Sequence, residues 1–348
     1  MIIQNNSVFR KKNAFISLLA LSLLLLASPV PVSAHSSGSL RQVRPMLYAP
    51  TGTSALAGRP IASPSRSPDS LPKTLCGSLP NGDSPGGVYK GAGGAFVEDW
   101  STGNLVWCSG GTSTTIAMVP SGGSNIGYYG LAGIVTTTQG LVLILSSWGA
   151  SGLWICFGAT SSGCTSQSSF ISLPSSFCSS EPSGICNPDG SVTDKKLNLY
   201  YVDILNEQLV ECTHSSNYQS CTVEPASSAF SGFEPVNLAV YKGEFFVSDL
   251  SCTGNVWAGT KSSMAVLASI GDSLQGIAVS KSNVGKVPEV YVGDDASCSG
   301  GAAKLIDITD GGSVPSGFSS SNAIIGIDSK LQFASFTNGA VYQTKDTS

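Results

Sequence analysis

A short pattern recurs six times along this chain. Two or three strand-forming residues lead to a small or acidic residue, then a loop of a few residues, usually with glycine, then a second apolar run. The first copies are Ala95 to Asp99 with Asn104 to Trp107, Leu143 to Ser147 with Gly152 to Ile155, and Tyr200 to Asp203 with Gln208 to Val210. The others are Phe245 to Asp249 with Gly254 to Trp257, Val290 to Asp294 with Ala303 to Ile306, and Leu331 to Ser335 with Gly339 to Tyr342. A repeat of about 40–50 residues built only of strands and turns is the signature of a β-propeller. The expected fold is all-β, a six-bladed propeller of four-stranded antiparallel blades.

Blade four shows the plan most fully. Pro235 to Tyr241 reads as the inner strand, Glu244 to Asp249 as the second, Asn255 to Gly259 as the third and Met264 to Ile270 as the outer one. Lys242-Gly243 and Thr253-Gly254 supply the turns. Blade three has the least regular inner strand, because Ile185 to Val192 contains Pro188 and Gly190. Blade six offers three strands before the chain ends, so its fourth is expected from the segment near Leu75 to Pro80. That closure would leave no exposed sheet edge at the joint.

Residues 1–34 read as a cleaved signal peptide. Arg10, Lys11 and Lys12 precede an apolar run from Ile16 to Ala27, and Val32-Ser33-Ala34 offers small residues for cleavage. The run is short for a membrane span, although a retained signal anchor stays open as the alternative. No later stretch could cross a bilayer, so the mature chain, starting at His35, is expected to be secreted or periplasmic, in the cell envelope. Residues 35–74 are rich in Ser, Pro and Arg and poor in large apolar side chains, the composition of a disordered linker. The propeller then occupies 75–348.

The net charge is −4 and only 11% of residues are charged. Every arginine lies at or before Arg66, so the body lacks the forked donor that phosphate and carboxylate sites favour. Nucleic acid is therefore a poor partner. With two histidines, His35 and His214, a histidine-based metal site or triad is nearly excluded. Gly271-Asp272-Ser273-Leu274 spells the nucleophile block of an esterase, but no histidine follows residue 214 to act as base.

The chain has 10 cysteines, an even number that suits disulfides in an exported protein. Cys156 with Cys164 and Cys212 with Cys221 flank turns between third and fourth strands, where facing positions allow the required approach. Cys178 and Cys186 bracket the connection between blades two and three. Cys108 has no partner in its own hairpin, which leaves Cys76 on the closing strand. Cys252 and Cys298 occupy the same loop in neighbouring blades and would staple them.

The phrase from Phe233 to Trp257 resembles an NHL-type repeat of TolB-like six-bladed propellers. The resemblance rests on Pro235, Leu238-Ala239-Val240, Gly243, Val247-Ser248-Asp249 and Asn255-Val256. The stretch from Leu274 to Asp294 is similar. Such repeats imply protein, glycan or nucleic-acid binding, with some enzymes among them. The gluconolactonase-like branch implies a divalent cation held at the pore by Glu, Asn and Asp at inner-strand starts. The matching positions here are Ala132, Val236 and Gln275, none of them a carboxylate, and Asn237 is one residue out of register and should point away.

Two sets of residues are candidates for a ligand-binding rim. Asp99, Asp203, Asp249 and Asp294 end the second strands of four blades; they either form an acidic rim for Ca²⁺ or a cationic partner, or bind backbone N–H groups in the turns that follow. Trp100, Trp148 and Phe336 come next in blades one, two and six. They either line an aromatic arc for a neutral glycan or peptide, or pack between blades. The expected function is thus an exported, non-enzymatic binding propeller with a protein or glycan ligand at the cell surface. The alternative is a divalent-metal-dependent lactonase.

Overall fold

A computed structural model describes residues 73–80, 85–100, 102–118, 128–147, 150–280, 288–294, 297–300, 303–309, 312–314, 324–327, 332–335 and 340–343. The expected signal peptide and nearly all of the expected linker lie outside these residues, as do Trp148 and Phe336. All described residues belong to one compact unit spanning 45–348.

The described strands follow the predicted plan. β1 is Lys73–Cys76. Blade one holds β2 (Pro85–Gly91), β3 (Gly94–Asp99), β4 (Leu105–Ser109) and β5 (Thr112–Ala117). Blade two holds β6 (Tyr128–Thr136), β7 (Gly140–Ser147), β8 (Gly152–Phe157) and the fragments β9 (Ser166–Gln167) and β10 (Ile171–Ser172). Blade three holds β11 (Pro188–Thr193), β12 (Leu199–Asp203), β13 (Gln208–Cys212) and β14 (Cys221–Val223). Blade four holds β15 (Pro235–Tyr241), β16 (Glu244–Asp249), β17 (Asn255–Thr260) and β18 (Ser263–Ser269). Blade five holds β19 (Leu274–Ser280), β20 (Glu289–Asp294), β21 (Leu305–Asp307) and β22 (Gly312–Val314). Blade six holds β23 (Ile324–Ile327), β24 (Gln332–Ser335) and β25 (Val341–Gln343), with β1 as its outer strand.

These strands form five regular four-stranded antiparallel sheets and one of five strands. The irregular sheet is blade two, where two fragments share the outer edge in place of one strand. The inner strands β2, β6, β11, β15, β19 and β23 neighbour one another in that order, and β23 returns to β2. β1 closes the ring by pairing Thr74 with Tyr342 and Cys76 with Val341. The closing strand starts at Lys73, within the tract read as linker. Among the described residues one four-residue helix, α1 (Ser175–Cys178), and two 3-10 segments interrupt the strands.

The cores lie between blades rather than within them. Phe96, Leu143 and Trp154 join blades one and two. Ile144, Leu199 and Tyr201 join two and three. Tyr200, Phe245 and Trp257 join three and four. The second strands of blades one to five are buried on both faces against neighbouring blades, so they read as near-continuous apolar runs. Trp154 and Trp257 are buried as the third-strand placement implies, and Trp107 is half-buried.

All five expected disulfides are present: Cys76–Cys108, Cys156–Cys164, Cys178–Cys186, Cys212–Cys221 and Cys252–Cys298. Cys212 and Cys221 are direct cross-strand partners. Cys156 instead faces Gln167, and Cys164 reaches it from the preceding loop. Cys76–Cys108 ties blade six to blade one, and Cys252–Cys298 ties four to five. Five disulfides suit an oxidising environment. No helix among the described residues is long and apolar enough to cross a membrane.

Crowding at the axis explains the glycine pattern. The inner strands begin opposite the ends of their second strands, as in Pro85 with Asp99, Pro188 with Asp203 and Pro235 with Asp249. Two residues further on, in ring order, stand Gly87, Gly130, Gly190, Asn237, Gly276 and Gly326. A Cβ on Gly87, Gly130, Gly190 or Gly326 would come within 3.0 Å of the next inner strand. Gly190 is thus a requirement of the ring, not a flaw in blade three. Gly190→Ala is expected to destabilise the protein by at least about 2 kcal/mol through backbone overlap with Asn237. Gly77→Ala, whose Cβ meets nothing within 4 Å, should shift the urea midpoint little. Equal midpoints for the two variants would refute the crowding.

Candidate functional site

Each inner strand carries a bulge just after its first residue, where the register to the second strand shifts. The bulge inverts the alternation of faces beyond it. That corrects the expectation for Asn237. Its backbone lies past the bulge between Pro235 and Asn237, and the residue lines the axial cavity instead of turning away. Its Oδ1 accepts the Leu238 N–H at 2.8 Å.

The cavity is built in layers from the six inner strands and has a volume of about 240 Å³. Gly87, Asn237 and Gly326 of the glycine layer line its floor. Val88, Leu131, Ser191, Leu238 and Ile277 come next, followed by Tyr89, Ala132, Val192, Ala239 and Ala278. Lys90, Gly133, Thr193, Val240 and Val279 complete the wall. Each inner strand is the terminal strand of its sheet, so its second edge is not used for pairing and faces the axis. Such edges supply backbone donors and acceptors to whatever fills the space. Blades one and three bring Tyr89, Lys90, Ser191 and Thr193; blades four and five bring mostly apolar side chains. Lys90 is the one charged residue among the described residues lining the cavity.

Two buried carboxyls sit around the floor. Glu98, 0% exposed, accepts the Gly87 N–H at 3.3 Å through Oε2, while Oε1 has no hydrogen-bond partner. Burial pushes its carboxyl well above the ordinary range, and neighbouring Asp99 adds to the effect. Asp189, in the bulge of β11, accepts from Asn187 Nδ2 at 3.0 Å and from the Ile204 N–H at 3.3 Å. Burial raises its pKa as well. Ser146 ties blades two and three at this level by donating to the Asp189 carbonyl at 3.1 Å. Ser248 does the same between four and five, to the Gln275 carbonyl at 2.8 Å.

The second-strand acids are placed differently from an exposed rim. Asp99, Asp203, Asp249 and Asp294 are all buried. Asp203 accepts from the N–H groups of Asn187, Leu205 and Asn206 and from Asn206 Nδ2. Asp249 accepts from the N–H groups of Glu234, Ser251 and Asn255 and from Ser251 Oγ. Asp99 takes the N–H and Oγ1–H of Thr102. Ser147 fills the same role by accepting the Ala150 N–H at 3.2 Å. These contacts match the turn-capping alternative and engage the oxygens that a cation would need. Trp100 is half-buried. It follows Asp99, which faces the start of β2, whereas Lys90 lies near the end of that strand. Trp100 and the Lys90 layer therefore lie towards opposite ends of the strand.

The residues present do not fit the divalent cation of a lactonase-type pore. Ala132 is part of the wall, Val236 and Gln275 lie in bulges, and the described lining residues include no carboxylate. Among the described residues no three His, Cys, Asp or Glu side chains come together as a metal site. Ser273 of the esterase-like block is 1% exposed, just ahead of β19.

No family model and no curated protein matches the chain. Solved structures do. One is a catalytically inactive virginiamycin B lyase from Staphylococcus aureus with quinupristin: 12% identity, TM-score 0.51, covering 79% of this chain and 99% of that one. Another is a gluconolactonase from Xanthomonas campestris: 10% identity, TM-score 0.53, covering 78% and 88%. A third is the PQQ-bound aldose sugar dehydrogenase from Streptomyces coelicolor: 15% identity, TM-score 0.50, covering 78% and 96%. At these identities the likeness is one of fold.

Sequence reasoning missed Lys90, Glu98 and Asp189. The available signal was the alignment of Gly87, Gly130, Gly190 and Gly326, which sets the register of the inner strands. Glu98 also has a measurable consequence. Its folded pKa is raised, so the folded state holds the proton more tightly than the unfolded chain. Stability is full below the unfolded value and falls as pH rises towards the folded one. Glu98→Gln is expected to flatten this fall, gaining on the parent protein between pH 5 and pH 8, pH values chosen to lie above the unfolded value of about 4.3. Urea melts at both pH values check it. A variant that tracks the parent at each would show that Glu98 does not titrate in this window.

Proposed function

We propose that this chain is an exported, non-enzymatic binding propeller and that its ligand site is the axial cavity. The observation that carries the reading is the composition of the lining among the described residues: six strand edges, hydroxyl and amide side chains, one lysine, and no carboxylate. Backbone edges and hydroxyls bind by hydrogen bonding. They offer no hard-cation cage and no general acid–base pair. A cavity of about 240 Å³ is small for a drug-sized ligand, which commonly needs about 300 Å³ or more. It suits a small molecule, or one protruding group of a larger glycan, peptide or envelope partner. The signal-like leader and the disulfides support action outside the cytoplasm, secreted or periplasmic.

The gluconolactonase among the structural neighbours makes the lactonase reading the one to test against. Protein purified from secreted material without chelator is expected to carry no stoichiometric divalent ion. It should hydrolyse glucono-δ-lactone no faster than buffer, with or without added Ca²⁺ or Zn²⁺. One bound ion per chain, together with turnover that chelator abolishes, would overturn the binding reading.

A further inference from the structure

On the premise that the axial cavity is the binding site, the direction of its wall side chains says what a ligand meets there. Successive residues of a strand point to opposite faces of the sheet, and the faces of a blade look at its neighbours. Leu131 turns to the core shared with blade one, and Ala132 to the core shared with blade three. Leu238 joins the core with blade three and Ala239 the core with blade five. Ile277 and Val279 join the core with blade four. All six residues line the cavity, yet their side chains pack between blades, so what they present to the axis is backbone. The wall hydroxyls are turned into the blades as well. Ser191 accepts from the Ser146 hydroxyl at 3.2 Å, and Thr193 donates to the Asn198 carbonyl at 3.0 Å. Tyr89 and Lys90 have partners of their own.

Each inner strand is the terminal strand of its sheet, and among the described residues no strand pairs with its axial edge. On such a strand alternate residues turn both N–H and C=O away from the ladder. Six edges therefore ring the cavity with peptide donors and acceptors that carry no net charge. Peptide groups removed from water need partners. A ligand that displaces water from them has to replace those bonds, which an apolar body cannot do. A hydroxyl both donates and accepts, so it can meet an N–H or a C=O. A cyclic polyol carries hydroxyls around its whole circumference, as the wall carries edges around the axis. The volume of about 240 Å³ is below the drug-sized range and suits a single ring.

We infer that the axial cavity binds one neutral cyclic polyol unit, such as a pyranose, held around its circumference by the peptide groups of the inner strands. Recognition of this kind rests on backbone geometry, and the side chains of the wall act by keeping the strands in place from between the blades.

The test uses the full chain with glucose, myo-inositol and cyclohexanol as probes, titrated by calorimetry or ligand-observed NMR. Glucose or myo-inositol is expected to bind with millimolar or tighter affinity, at least about tenfold more tightly than cyclohexanol, which keeps the ring with a single hydroxyl. Maltose separates two sources of the same ring: binding equal to that of glucose marks the end of a glycan, weaker binding a free monosaccharide, and both support the inference. Thr193→Val, which deletes a wall hydroxyl, should keep the affinity within about threefold of the parent. Val240→Trp, at the mouth where Val240 is 39% exposed, should remove binding, whereas Val266→Trp on the outer strand β18, where Val266 is 42% exposed, should not. Thermal melts of each variant show that it is folded. Cyclohexanol binding as tightly as the polyols, and lost in Val240→Trp, would overturn the polyol inference and leave the cavity reading intact. Polyol binding that persists unchanged in folded Val240→Trp would place the ligand elsewhere and overturn both. A folded Thr193→Val variant that no longer binds would show side-chain recognition and overturn the backbone inference. Failure of glucose and myo-inositol alike to bind the parent protein at millimolar concentration would also overturn it.

Discussion

Six inner strands meet at one axis closer than a Cβ atom permits, and the remaining architecture accommodates that approach. Gly87, Gly130, Gly190 and Gly326 let each strand lie against the next. The bulges beside them supply the local twist that lets radial sheets converge. Because the glycine layer is tight, the space beyond it is a short cavity with a crowded floor. Because bulges precede that layer, the register of every wall residue is displaced from simple alternation. Site geometry and axial crowding are one phenomenon.

Asn237 is the exception in that layer, and its Cα and Oδ1 lie against Gly190 of blade three. The interface between blades four and five is held by the Ser248 hydroxyl on the Gln275 carbonyl and by Cys252–Cys298 across the outer loops. The closure between blades six and one has β1 and Cys76–Cys108. Two joints of the ring therefore carry covalent links between blades, while the other disulfides secure loops and hairpins. Between three and four the link is ionic. Lys261 reaches Glu211 at 2.6 Å and Glu224 at 3.5 Å, and Tyr200 donates to Glu211. Lys261 keeps Glu211 low despite burial, while burial and Glu211 raise Glu224.

The fold was legible because strand length, turn chemistry and apolar runs are local signals. β15 and β16 match their predicted spans residue for residue, whereas the closing strand is Lys73–Cys76 in place of the expected segment near Leu75 to Pro80. The disulfide partners were legible because blade repetition places equivalent loops side by side. The site was less so. Alternation counted from the strand start sends Asn237 the wrong way, since a bulge leaves no mark in composition. Lys90 looks like an ordinary strand-end lysine until the ring brings it to the axis. Glu98 reads as one more strand residue before Asp99, and its burial is a property of six blades together. The acids at the strand ends drew attention because they repeat, and they repeat because each turn needs the same cap.

The central claim is that ligand meets the inner strands at the axis, not the turns at the strand ends. Hydrogen exchange of the full chain, with and without a saturating neutral sugar such as glucose, separates the two sites. The account predicts added protection in peptides spanning Val88–Lys90, Leu131–Gly133, Ser191–Thr193 and Leu238–Val240, with the turns after Asp99, Asp203 and Asp249 unchanged. Protection confined to those turns and to Trp100, with the inner strands unaltered, would contradict it.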